Sequence, residues 1–189
     1  MTLHRANYAP VEPSELLGDL HPLIEQLGSI QGLVTLDSVS ASLRLQPVES
    51  FRQLQIFLES YRKTILLPEE LPVINRAFAH TNRNQVRELI ALDQSIDGNP
   101  VLKEFASASH RVGQSQLKRL RPLRDHRLVQ RYLTAVEAGQ AHGWHTIVYG
   151  VTLAVYSLPL RQGLLAYAHQ TLRGFIRTAG RGLRLSERH

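Results

Sequence analysis

Two histidines three residues apart, His142 and His145, are the pair whose spacing best suits a metal ion. That interval puts two side chains on one face of a helix. Gly143 stands between them, and glycine weakens the helix this geometry needs. His110, His126 and His169 are the candidates for a third ligand, and Glu137 precedes His142 by about one turn. A metal site needs its full ligand set. The pair is therefore a weak candidate, and no metal or other cofactor is expected. The absence of Cys excludes disulfides, thiolate metal sites and Cys nucleophiles. The phosphate-cradling loops G-x-x-x-x-G-K-[ST] and G-x-G-x-x-G do not occur, and neither does a G-x-S-x-G nucleophile elbow. Gly180-Arg181-Gly182 is a lone glycine pair that a helix stop explains. No Ser/His/Asp set assembles from spacing, so an enzyme is not expected.

Charge is the next chemical feature. The formal net charge is +6 and unevenly spread. Arg111, Lys118, Arg119, Arg121, Arg124, Arg127 and Arg131 sit close together, and Arg161, Arg173, Arg177, Arg181, Arg184 and Arg188 load the C-terminal part. The first fifty residues lean acidic through Glu12, Glu15, Asp19, Glu25, Asp37 and Glu49. Such asymmetry fits a nucleic-acid face, an acidic protein partner or a plain solvated face. Readers of single strands add stacking aromatics. Here only Tyr132 and Trp144 lie near the basic stretch, so nucleic acid is not the expected partner. No run of about 18 apolar residues and no apolar leader core is present. A cytoplasmic protein without membrane contact is the expectation.

The elements that must position these residues read as helices almost throughout. Leu16, Leu17, Leu20, Leu23, Ile24 and Leu27 predict a helix over 14–28, with Ser14 as cap, and a short helix follows over 34–46. Phe51, Leu54, Phe57, Leu58 and Tyr61 form one stripe over 48–66. Pro68 and Pro72 mark a boundary before a helix over 69–80. Asn82 or Asn84 caps a helix to about Asp93, and Asp97-Gly98-Asn99-Pro100 signals a turn. Helices over 101–120, ended by Pro122, and over 126–141 come next. The apolar run 144–157 is rich in β-branched residues, which allows a strand, but Gly150 and Ala154 lie four apart and suit close helix packing. A last helix runs from Pro159 to about Thr178, where Gly180 and Gly182 stop it. The expectation is one all-α domain over residues 1–189, a bundle of about nine helices with flexible ends at 1–12 and 183–189.

Three blocks in order carry a family resemblance. Residues 143–160, with His145, Val148, Tyr149, Gly150, Ala154 and Leu158, are similar to a block of the UreF family of urease accessory proteins. Gly163 to Leu172 resembles that family's next helix. Ala108 to Leu117 resembles an upstream helix, with Arg111, Gly113 and Leu117 matching and Val112 in place of methionine. The family's glycine-rich N-terminal motif should fall near Gly32 to Ser40, and its glutamate position holds Ser40 here. The family's tail is also replaced by a short end after Ala179.

The resemblance implies a UreF-like all-α scaffold, usually dimeric and not itself catalytic. It would bind UreD (UreH) and the GTPase UreG, and support nickel delivery to apo-urease. Arg111, Gln114, His145, Tyr149, Arg177 and Arg181 are the candidate partner-binding residues, and Gly113 and Gly150 permit close helix packing. Structural alternatives stand beside them. Tyr149 and His145 suit the core with local hydrogen bonds. Arg111 suits a pair with Glu104 or Glu137, and Arg177 and Arg181 favour a helix C-terminus by charge alone.

Overall fold

The computed structural model describes residues 35–183, with side chains to residue 180. The expected helix over 14–28, the two ends expected to be flexible and the Arg181 side chain lie outside what is described. Within those limits the protein is all-helical, with no strand among the described residues.

The first helix, α1 (Leu36–Ser42), is shorter than the predicted 34–46 and starts where the Thr35 hydroxyl accepts from the Ser38 N–H. Ser50 caps α2 (Phe51–Tyr61) by accepting from Gln53 N–H, while the Gln53 side chain reaches back to the Glu49 N–H. This is close to a capping box. Leu54, Phe57 and Tyr61 form its buried face.

Pro68 does not end the helix. The chain continues through a π segment (Arg62–Glu70) into α3 (Leu71–Asn82), making one rod over 51–82. Proline lacks an N–H and its ring crowds the carbonyl four residues back. The wider π turn relieves this, and the Leu71 N–H bonds to the Leu66 carbonyl, five residues back. Pro72 then sits in the first turn of α3, and the rod runs on through it as well.

Asn84 does not cap the next helix. With φ of 55° it closes the end of α3 in the left-handed conformation, while the Gln85 N–H returns to the His80 carbonyl. The next helix, α4 (Val86–Asp97), runs a turn past Asp93 because Asp93 belongs to its buried face with Leu89, Leu92 and Ile96. A 3-10 turn (Lys103–Phe105) precedes α5 (Ala106–Arg119), and α6 (Arg127–Glu137) follows.

The run left open between strand and helix is α7 (His145–Val155), and all its residues from His145 to Ala154 are buried. A helix apolar on every side must be wrapped by others. The rod's α3 packs most extensively along it, and α5 packs on it as well. The last helix, α8 (Leu160–Leu183), continues through Gly180, which does not stop it. Interior glycine costs only about 1 kcal/mol, and Phe175 and Ala179 are buried in the core. Because 51–82 is one rod and 14–28 is outside the described residues, the count of nine is corrected to seven helical rods among the described residues.

Candidate functional site

The most elaborate polar construction surrounds the loop between α6 and α7. Gly139 and Gly143, with φ of 72° and 73°, let the chain turn there. Trp144, at the N-cap of α7, makes no side-chain cap bond. Asp93 of α4 supplies the missing acceptor. Its carboxylate, fully buried, accepts from the N–H groups of His142 (2.5 Å), Gly143 (3.0 Å) and Trp144 (3.2 Å) and from the Tyr132 hydroxyl (2.5 Å). A carboxylate here satisfies orphan donors and complements the positive end of α7. Burial first, and then the Asp93 charge, push the Tyr132 phenol well above its ordinary range.

Two further bonds fix the same loop to α5. Gln114 Nε2 donates to the His142 carbonyl at 2.9 Å, and Ser109 Oγ accepts from the His145 N–H at 2.9 Å. Gly113 makes the approach feasible. A Cβ there would stand 2.0 Å from the Gly143 carbonyl oxygen and 2.7 Å from the His145 nitrogen.

Three ligand-type side chains meet at the mouth of this loop. Asp97 ends α4, His110 lies on α5 and His142 lies in the loop. His110 Nε2 is 3.7 Å from Asp97 Oδ1, and His142 Nε2 is 3.8 Å from Asp97 Oδ2. The two imidazoles stack at 5.2 Å, and the Trp144 ring meets His110 edge-on at 4.7 Å. Burial, helped by the His142 charge, lowers the His110 pKa against the pull of Asp97 and Asp93. His145 is elsewhere, its ring packed against Tyr149 and Tyr167. The spacing-based pair is thus parted, because Gly143 turns the backbone ahead of the helix that His145 begins.

A second buried carboxylate, Glu70, closes the π segment. It accepts from the Tyr61 hydroxyl at 2.8 Å and the Tyr167 hydroxyl at 3.1 Å, linking the rod to α8. Burial raises its pKa from 4.5 to about 7, against the two tyrosine hydrogen bonds.

The remaining candidate residues divide by depth. Tyr149 and His145 are 1% and 2% exposed, and the Tyr149 hydroxyl donates to the Gly163 carbonyl at 3.0 Å. Their side chains face the interior of this chain, as the core alternative for both residues has it. Gln114 is half-buried on the loop. Arg111 and Arg177 are exposed. Glu137 pairs with Arg121. At Gly150 a Cβ would stand 2.5 Å from the Ile74 carbonyl oxygen of α3. Sequence reasoning missed Asp93 and Glu70. Their signal was a carboxylate inside an apolar stripe: Asp93 between Leu89 and Ile96, and Glu70 between Leu66 and Ile74.

Together these features define a helical scaffold whose buried carboxylates join its elements. No helix of the described residues is long and apolar enough to cross a membrane. The UreF family model matches residues 48–188, well over half of the chain. The protein belongs to the UreF family, which gives it a role accessory to urease. That is an accessory family and not a catalytic one. No curated protein and no solved structure matches the chain.

Proposed function

We propose that this protein is a non-catalytic, cytoplasmic adapter of urease maturation. In this reading it binds a UreD/UreH-like protein and a UreG-like GTPase, and supports nickel insertion into apo-urease. The observation that carries the reading is the family match from the start of the rod into the C-terminal residues.

The surface supports it in two ways. Arg111 on α5 and Arg177 on α8 are exposed, and the planar guanidinium pairs well with carboxylates of an acidic partner. Arg181 lies one turn after Arg177 on the same helix. The basic stretch from Arg111 to Arg131 is exposed at every arginine and lysine, while Tyr132 and Trp144 are buried. Base stacking on those two rings is therefore blocked, which favours protein over nucleic acid. Between α2 and α8 an open groove is lined by Ile56, Leu58 and Leu172 together with Gln55, Glu59 and Arg62, and Ile56 is 48% exposed. Exposed apolar patches of this kind mark protein contacts. A second copy of the chain is the occupant we assign to it, giving a homodimer.

Co-purification of the tagged protein with UreD- and UreG-like proteins tests the adapter role. Both are expected in the eluate at low salt, and both should be weakened by Arg111→Glu with Arg177→Glu. A folded protein that captures neither would overturn the reading.

A further inference from the structure

Asp97, His110 and His142 come from three separate elements, yet their ligand atoms all lie within 4.8 Å of one another. We propose that they form a site for one divalent first-row transition cation of the zinc or nickel kind. The site stands apart from the adapter role, since nothing in its geometry uses the urease partners.

The distances carry the argument. At 3.7 and 3.8 Å, the Asp97 oxygens are too far from the two Nε2 atoms for hydrogen bonds. A water molecule bonded to both groups would hold them farther apart, at about 4.5 Å or more, given hydrogen bonds of about 2.8 Å on each side. A cation with bonds of about 2.0–2.1 Å at tetrahedral angles spans ligands about 3.4 Å apart. The three ligand atoms already lie within 4.8 Å of one another, and rotation of the Asp97 and His142 side chains, both partly open to solvent, closes them to that spacing. His110 Nε2 is buried without a hydrogen-bond partner, and a buried polar atom in that state calls for an explanation. A metal bond supplies one.

The backbone around the ligands is already held. Asp93 accepts from the His142 N–H, Gln114 donates to the His142 carbonyl, and the Trp144 ring lies edge-on to the His110 ring. Such outer contacts orient ligands and raise affinity. Asp93 is not a fourth ligand, because both its oxygens already accept hydrogen bonds. Two imidazoles and one carboxylate suit zinc, nickel and copper over the hard cations magnesium and calcium. The Asp97 and His142 side chains are 44% and 38% exposed, so an ion can enter from solvent. Three protein ligands leave a position for water, an open arrangement rather than a closed structural one.

The chain contains one tryptophan, and its ring lies against His110. Open-shell Ni2+ or Co2+ in the site therefore quenches Trp144 fluorescence, and closed-shell Zn2+ displaces the quencher. The test uses the full chain with any affinity tag removed. Ni2+ titration is expected to quench saturably at one equivalent, with Zn2+ competing and metal analysis after dialysis agreeing. Asp97→Asn with His142→Gln should weaken binding at least tenfold, since even outer-shell changes cost 10–100-fold. His80→Gln and His126→Gln, remote from the site, should leave the midpoint unchanged. Should the double variant unfold, Asp97→Asn alone, an isosteric change at an exposed carboxylate, keeps the test decisive. Absence of saturable quenching in the unaltered protein, or an unchanged midpoint in the folded Asp97 variant, would overturn the site.

Discussion

Glu70 and Asp93 are both carboxylates buried on the inner faces of helices, and their surroundings differ in kind. Asp93 meets three backbone N–H groups and a tyrosine hydroxyl. Glu70 meets only two tyrosine hydroxyls. Backbone N–H groups leading into a helix can only donate and cannot turn away, so the Asp93 carboxylate is held there as their shared acceptor. Hydroxyls bond a neutral acid nearly as well, and at Glu70 burial prevails, lifting its pKa to about 7. One carboxylate therefore fixes a loop, and the other is a pH-dependent link between helices.

The largest expected effect breaks the first of these centres. Asp93→Ala strands three N–H groups and the Tyr132 hydroxyl, and should cost about 3–5 kcal/mol in urea unfolding. A cost below about 1 kcal/mol would mean that water replaces the carboxylate. Next comes the pH response of Glu70. Its folded pKa of about 7 lies above the ordinary 4.5, so the folded state holds the proton longer. The stabilisation is fully present below about pH 4.5 and is lost as pH rises through about 7, by up to about 3 kcal/mol. Denaturation midpoints across that window should fall with rising pH, and Glu70→Gln should flatten this component.

Gly113→Ala probes the Asp93 centre without touching its charge. The new Cβ meets fixed backbone, so the cost should lie at the upper end of the ~1–3 kcal/mol typical of overpacking, read as a lowered melting temperature. The smallest effect sharpens the contrast. Tyr61→Phe removes the hydrogen bond that most lowers the Glu70 pKa. It should cost about 1 kcal/mol and move the Glu70 titration upward, seen by carboxyl NMR. The same substitution at Tyr132 should leave the loop in place, because its three backbone bonds remain.

Much of the helical frame was legible because helix periodicity is a local property. The stripe of α2 could be read directly, and Gly150 with Ala154 favoured a packed helix at α7. Boundaries failed where a local signal had a second use. Pro68 reads as a stop, yet a π turn carries it. Asn84 reads as a cap for the next helix, yet it closes the previous one. Glycine at 180 reads as an end, yet buried neighbours hold the helix together.

The candidate site was less legible. His142 stood out by its spacing from His145, while the groups that face it, His110 and Asp97, lie on other helices. The sequence by itself determined a mainly helical chain with a markedly apolar segment over 144–157, a basic charge balance and no cysteine chemistry. These follow from composition and from spacing within a few turns. Only the tertiary structure decided which carboxylates are buried, which donors they meet and which histidine meets which acid. A hydrogen bond between Asp93 and the His142 backbone depends on α4 crossing the loop that joins α6 to α7 at one level. No local periodicity encodes that crossing, which comes from packing the whole core around α7.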